Sequence, residues 1–437
     1  MPTGPRAFDH RGTFLESGPN RRAWQWPWGY GESAVLIGAA LVGGFLAQWR
    51  LGPMPGDLLA WPRNLITLAA LIALSVLARF LRASKFFRFL TSLPFSVILI
   101  CALALFALVM GLVPQLAPKV DLASVLVSGQ DSAVARLGFL QVTSSWPFAV
   151  LYLLTLVALG ATVAVGFGFR KRVFLLNHLG LWLILLAAGL GASDRQRELM
   201  RVPEGGLEWR ASRGGELVEL DLAIRLDDFI MEEYPARLAL VNPATGKPWP
   251  SESAPAIFQI EAKTPRGHLG GYDIEVLKFL ARAVPVGEEG FVGAVVNGAV
   301  QAALVKATDR GTGRSFEGWL TSGNGFVRPS SLLLGEGGPD RHHGLVLAMS
   351  PPEPKLFLSK VKVFTKDGHE AQASVSVNHP LRAGDWLIYQ RDYDTSAGPL
   401  SSWSGFELIK DRWLWLAYAG FALWSMGCLG LTMGGRK

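Results

Sequence analysis

Four runs of this chain carry no charged residue over a length that decides their fate. Residues 89–118, 137–169, 173–193 and 413–435 are 30, 33, 21 and 23 residues long. An α-helix rises about 1.5 Å per residue, so about 20 apolar residues cross the hydrocarbon core of a bilayer. These four runs are expected as membrane-spanning helices. Two earlier runs are shorter: residues 33–49 (17) and 64–78 (15). The second reaches spanning length if Arg63 and Arg79 extend to the two interfaces. The alternative for both is a re-entrant or interfacial hairpin. The expected architecture is a bundle of about six transmembrane α-helices plus a large extracytoplasmic all-β domain.

The charge supports the same division. The 437 residues hold 42 Lys+Arg and 35 Asp+Glu, a net charge of +7, and a pI of about 9.5. A basic chain invites a nucleic-acid reading. Residues 194–412, however, hold 25 basic and 29 acidic residues, net −4, and the other 218 residues hold 17 and 6, net +11. The excess positive charge lies between apolar runs, where nucleic acid does not reach, so no nucleic-acid partner is expected. The bilayer itself is the expected surroundings of that part.

With six spans and the N-terminus inside, the inner segments hold Arg6, Arg11, Arg21, Arg22, Arg79, Arg82, Lys85, Arg88, Arg170, Lys171, Arg172, Arg436 and Lys437. Those are 13 of the 17; the outer loops hold Arg50, Arg63, Lys119 and Arg136. This obeys the positive-inside rule and places both termini in the cytoplasm and residues 194–412 outside. The first 22 residues are too polar for a signal peptide, so the first span is expected as an uncleaved anchor. The expected segments are 1–84 (inner tail and two additional helices), 85–193 (three-helix core), 194–412 (β-rich domain) and 413–437 (last helix).

Residues 216–224 alternate apolar and polar side chains, and 237–241, 257–262, 272–277, 386–390 and 405–409 continue in that style. Asn297-Gly298 inside the Val- and Ala-rich run 291–305 is a hairpin signal. Lys366-Asp367-Gly368-His369 between 361–365 and 373–377 is another. Short strands punctuated by Gly and Pro predict a sandwich or barrel-like domain.

No phosphate loop, HExxH, GxSxG or Cys/His metal spacing occurs, and no pair of acids stands out for acid–base work. The two cysteines, Cys101 and Cys428, fall in separate spans, which excludes a CxxC dithiol role and favours small apolar packing. Of the seven histidines, His10 lies in the polar tail. His268, His342, His343 and His369 lie in Gly- or Pro-rich loops, and His379 at a turn; all six are expected as ordinary surface residues. His178 alone lies in a span, about 7–8 Å into its helix near the inner leaflet. An ionisable group at that depth needs a partner. A helix–helix hydrogen bond and the iron of a haem both fit imidazole. Gly180, Gly189 and Gly191 on the same span would permit close packing against other helices or a flat ring.

Four stretches together resemble the ResB (CcsB) family of cytochrome c biogenesis proteins, System II. The first is the span ending Met110-Gly111-Leu112-Val113-Pro114-Gln115, where the family's Thr is Leu112. The second is Ser144-Ser145-Trp146-Pro147-Phe148 before a long span. The third is His178-Leu179-Gly180 through Gly189-Leu190-Gly191-Ala192. The fourth runs from Gly318-Trp319-Leu320-Thr321-Ser322-Gly323 through Pro351-Pro352-Glu353-Pro354-Lys355 and Trp386-Leu387-Ile388-Tyr389-Gln390 to Lys410-Asp411-Arg412-Trp413. The likeness covers about residues 85–433, with 1–84 outside the usual four-span pattern. The resemblance implies a protein of the bacterial cytoplasmic (inner) membrane that carries haem b outward with a ResC/CcsA-type partner. The pair would attach it to the CxxCH cysteines of apocytochrome c, making this chain a non-autonomous subunit of a cytochrome c haem lyase. The chain lacks the partner's tryptophan-rich WGxxWxWD stretch. His178 matches the family's transmembrane histidine, a candidate axial ligand to haem iron. His379 stands where related chains commonly have Lys. The rival reading is a non-enzymatic scaffold whose β domain docks another membrane complex without haem. A transporter or channel fits poorly, since His178 is the only ionisable group inside a span.

Overall fold

The computed structural model describes residues 7–8, 14–15, 24–116, 133–167, 172–261, 265–287, 290–335 and 344–434. The chain divides into two compact units, residues 1–196 with 411–437, and residues 197–410.

Among the described residues, the first unit contains six helices long and apolar enough to cross a membrane. They are α1 (Tyr30–Leu51), α2 (Arg63–Phe80), α3 (Leu93–Leu112), α4 (Trp146–Gly166), α5 (Arg172–Gly191) and α6 (Leu414–Gly434). Ser92 and Ser145 cap α3 and α4 by accepting from the amides of Phe95 and Phe148. Pro94 and Pro147 follow in the first turn, where a missing N–H costs nothing. The two short charge-free runs become continuous helices of 22 and 18 residues. Tyr30, Glu32 and Arg50 extend the first, and Arg63 and Arg79 the second, so neither folds as a re-entrant hairpin.

α4 is the hub of this unit. α1 meets it at Gly44, where an added Cβ would lie 2.6 Å from the Cα of Pro147. One turn on, the buried Gln48 accepts from the Trp146 amide at 3.1 Å. Phe106 of α3 lies 6.3 Å from Phe148 between ring centroids. α2 brings Ser75 against Gly160, and Leu71 shares a core with Leu156, Leu186 and Leu190. The first two helices are therefore packed into the same bundle as the other four.

Asp194, just past α5, ties three helix ends together. It accepts from the Trp61 amide at 2.7 Å, the Asn64 side-chain amide at 2.6 Å and the Trp413 indole at 2.8 Å. Asn64 is fully buried and also donates to the Leu190 carbonyl at 3.1 Å.

The second unit is β-rich. Its main strands are β1 (Gln196–Pro203), β2 (Leu207–Arg213), β3 (Glu216–Glu233), β4 (Arg237–Asn242), β5 (Ile257–Gln259), β6 (Arg266–Leu269), β7 (Tyr272–Val286), β8 (Gly290–Gly293) and β9 (Val300–Asp309). They continue with β10 (Ser315–Leu320), β11 (Ser331–Leu334), β12 (Leu345–Met349), β13 (Pro354–Thr365), β14 (Glu370–Ser376), β15 (Leu381–Ala383), β16 (Trp386–Tyr393) and β17 (Trp403–Lys410). An eight-stranded sheet has the order β14-β13-β3-β2-β1-β17-β16-β15. Its end strands β14 and β15 are consecutive in the chain, and Ser376 bridges His379 between them. The sheet is thus nearly closed and barrel-like. Alternation sends Met200, Val202, Ile224, Leu226, Val361 and Phe406 into its core.

Two five-stranded sheets, one built on β4, β5, β11 and β12 and one on β6–β10, enclose a separate core of Leu238, Leu240, Ile274, Val305 and Leu347. Barrel-like sheet and sandwich thus occur together. The turn at Gly368 joins paired strands as its sequence predicts. The Asn297-Gly298 turn does not. It carries the chain from β8 to β9, and both pair with β7 instead of with each other.

Candidate functional site

α5 is a run of Leu, Gly and aromatic residues with no charge after its first position, and each side of it is specialised. Toward α6, an added Cβ on Gly180 would strike the Trp424 backbone, and one on Gly427 would lie 2.6 Å from the Asn177 nitrogen. Small residues thus bring the two backbones together, and Asn177 donates to the Cys428 thiol at 3.2 Å. Toward α4, the Trp182 indole donates to the Leu156 carbonyl at 2.9 Å and the Tyr152 hydroxyl to the Leu185 carbonyl. Gly189 admits Tyr152, and Gly191 admits Trp413. All three glycines of the span are points of close approach to protein.

His178 lies six residues from the start of α5, about 9 Å along its axis. Its Nδ1 is 2.9 Å from the Phe174 carbonyl one turn back. A carbonyl can only accept, so Nδ1 carries the proton. In the tautomer that carries only this proton, Nε2 keeps its lone pair, and among the described residues no donor meets it. Phe174 covers one ring face, with centroids 3.8 Å apart at 31°. The ring is half-exposed. A Nδ1–H bound to a carbonyl and a free Nε2 is the arrangement that orients an imidazole as a metal ligand. It offers one nitrogen, which suits an axial position and not a closed metal cage. Among the described residues no group of three or more His, Cys, Asp or Glu could hold a metal ion.

The other sequence candidates scatter. His268 is an exposed cross-strand partner of Asp273, His369 accepts through its carbonyl in the β13–β14 turn, and His379 bridges Ser376. None joins His178. His10, His342 and His343 lie outside the described residues, as do Arg6, Arg11, Arg21, Arg22, Lys119, Arg170, Lys171, Arg436 and Lys437. Cys101 faces outward on α3 instead of filling an interface.

Within the first unit, Gln115 latches the end of α3 to the segment before α4. It donates to the Phe139 carbonyl at 2.9 Å and accepts from the Val142 amide at 3.1 Å. Arg79 donates to the Ala164 and Phe167 carbonyls at the C-terminal end of α4.

Sequence reasoning missed two polar sites of the barrel. Glu198 points inward at 0% exposure; Arg213 Nε donates to its Oε1 at 2.6 Å. Its Oε2 meets no donor among the described residues. A charge at an inward position of an alternating strand was the available signal, in Glu198-Leu199-Met200. Asp221 is the second site. Burial pushes its carboxyl up, but the Trp386 indole N–H and the Lys410 ammonium outweigh this and hold it below the usual range. No protein-family model matches this chain, and no curated protein matches it.

Proposed function

We propose that this chain is a multi-pass protein of the bacterial cytoplasmic membrane and the ResB-like subunit of a haem-export and cytochrome c ligation complex. The six apolar helices and the inner bias of the basic residues support the placement, with both termini in the cytoplasm. The order of the four family-like stretches supports the family. The single observation that carries the function is His178, whose Nδ1–H is committed to the Phe174 carbonyl so that Nε2 is available.

In this reading haem b is cargo. His178 holds its iron through Nε2 at one axial position, and a histidine of the ResC/CcsA-type partner takes the other. Phe174 restricts ring rotation, and the glycine-mediated packing of α5 on α6 fixes the helix that bears the ligand. Attachment to apocytochrome c belongs to the assembled complex at the outer face, where the β-rich unit meets the partner or the apocytochrome.

The test is co-purification with the partner in detergent, followed by absorption spectra of wild type and His178→Ala. The expected result is loss of the Soret band in a variant of unchanged helix content. Equal haem content and an unchanged band in the variant would refute the ligand role. A wild type that carries no haem beside its partner would favour the scaffold reading.

A further inference from the structure

Residues 81–92 join the end of α2 to the start of α3 and include a short helix (Lys85–Leu90). The Ser84 amide closes the turn before it by donating to the Leu81 carbonyl at 2.8 Å. The short helix has two sides. Phe87, Phe89 and Leu90 are buried, and Phe89 lies 5.0 Å from Trp28 and 4.9 Å from Phe95 between ring centroids. Lys85, Phe86 and Arg88 are exposed, as is Arg82 in the turn. Arg88 stands over the Trp26 ring at 5.3 Å. The chain around Trp26 is itself fixed, since Glu32 accepts from the amides of Trp24 and Gly29 at 3.2 and 2.9 Å.

Arg82, Lys85 and Arg88 meet no carboxylate among the described residues. Residues 58–120 hold no Asp or Glu at all. Asp57, Asp194 and Asp411 stand at the opposite ends of the helices, before α2, after α5 and before α6. The second unit treats its surface cations differently: Arg266, Lys355 and Lys360 each face a carboxylate on the neighbouring strand. Cations this close together without a counter-charge repel one another. The side chains around them are apolar and open: Phe80 (79%), Leu81, Phe86 and Leu93 (70%). Water or a small anion satisfies the cations and leaves those side chains uncovered. A ligand that answers both features has a negative head and an apolar body.

We propose that Arg82, Lys85 and Arg88 bind the phosphate of an anionic glycerophospholipid whose acyl chains cover Phe80, Phe86 and Leu93. Basic residues beside a membrane span attract such lipids, and the planar guanidinium fork suits a phosphate. The proposal rests on the membrane placement of α2 and α3, which sets this segment at the level of the headgroups, and is independent of the haem reading.

The probe is phosphatidylglycerol, offered with an equal amount of phosphatidylcholine of the same acyl chains to the full chain in neutral detergent. Native mass spectrometry reads the ratio retained. The wild type is expected to favour phosphatidylglycerol at least about tenfold, as three basic residues at a headgroup predict. Arg82→Gln/Lys85→Gln/Arg88→Gln is expected to retain the two lipids equally with unchanged helix content. Lys85→Gln alone, which removes one exposed side chain, is expected to lower the ratio, and Arg50→Gln at the other end of the bundle to leave it unchanged. Equal retention by the wild type, or an undiminished preference in the triple variant, would overturn the proposal. So would an equal fall in Arg50→Gln, or displacement of the lipid by inorganic phosphate, which would assign the cations to a free anion. Alkaline extraction of membranes separates the two readings. A chain that resists it yet shows no headgroup preference overturns this proposal alone, and a chain released by it overturns the membrane placement and this proposal together.

Discussion

Gly43 and Gly44 are adjacent in α1, and their replacement by alanine should change stability in opposite directions. Both lie in a helix interior, where Gly→Ala gains about 0.5–1 kcal/mol from backbone entropy alone. A Cβ on Gly43 meets nothing within 4 Å, whereas one on Gly44 lies 2.6 Å from the Cα of Pro147 and 3.0 Å from its nitrogen. Those atoms belong to the first turn of α4, which Ser145 caps, so they cannot swing away as a flexible side chain would. Overpacking of this kind costs about 1–3 kcal/mol. Gly43→Ala is therefore expected to stabilise by about 0.5–1 kcal/mol. Gly44→Ala carries the same gain and the added cost, so it falls below Gly43→Ala by about 1–3 kcal/mol. The assay is thermal unfolding of the full chain in one detergent, followed by far-ultraviolet circular dichroism. The gap should amount to several degrees in Tm, at about 2–4 °C per kcal/mol for a unit of this size. Equal shifts in the two variants would mean that α1 does not pack on α4, and the reasoning that joins the first two helices to the bundle would fail.

Asp194→Ala leaves three donors without their acceptor, one of them on the fully buried Asn64. A loss of at least about 1–3 kcal/mol is expected, with a smaller loss for Asp194→Asn, measured by the same unfolding assay. Glu198→Met should be neutral or stabilising, since the carboxylate is wholly buried while Arg213 is 41% exposed and can turn to water. Arg213→Met should cost about 3–5 kcal/mol, because it strands the buried carboxylate; denaturant midpoints of the two variants check the opposite signs. Asp221 has a folded pKa below its unfolded value, so its contribution is present above about pH 4 and is lost as pH falls through the folded pKa. The wild type should lose more stability than Asp221→Asn on acidification below that point, read from unfolding midpoints across pH.

The helices were legible because membrane-length apolar runs admit few structures. The ends of α3 and α4 were legible too, in Ser92-Leu93-Pro94 and Ser145-Trp146-Pro147, where cap and first-turn proline coincide. The β alternation located most strands, since period two follows from the pleat. What sequence could not give was pairing. Asn297-Gly298 has the composition of a two-residue hairpin, yet its flanking strands sit on opposite sides of β7. Both run antiparallel to β7 and therefore parallel to each other, so the local turn signal delivers neither the pairing nor a net reversal between the two strands. Glycine reads the same way: Gly43 and Gly44 are indistinguishable in sequence, and only the placement of Pro147 separates them. His178 was legible as the one histidine in a span, but its tautomer depends on a carbonyl of its own helix, which only the observed rotamer selects.

Charges at the ends of the helices have a second role beside orientation. In the proposed orientation Arg79 counts toward the inner positive bias, and its guanidinium donates to the Ala164 and Phe167 carbonyls at the C-terminal end of α4. Those groups include the orphan acceptors of a helix end, where the macrodipole favours a cation. Asp194 does the reverse. It accepts from Trp61 and Asn64 at the start of α2 and from Trp413 at the start of α6, where the dipole favours an anion. Reversing either charge would therefore disturb both orientation and helix-end satisfaction. Lysine at position 79 separates the two effects, since it keeps the inner charge but lacks the planar fork that meets two carbonyls. An unchanged topology with a lowered Tm in Arg79→Lys would assign Arg79 to the end of α4, the end of the helix that packs against α5 and its His178.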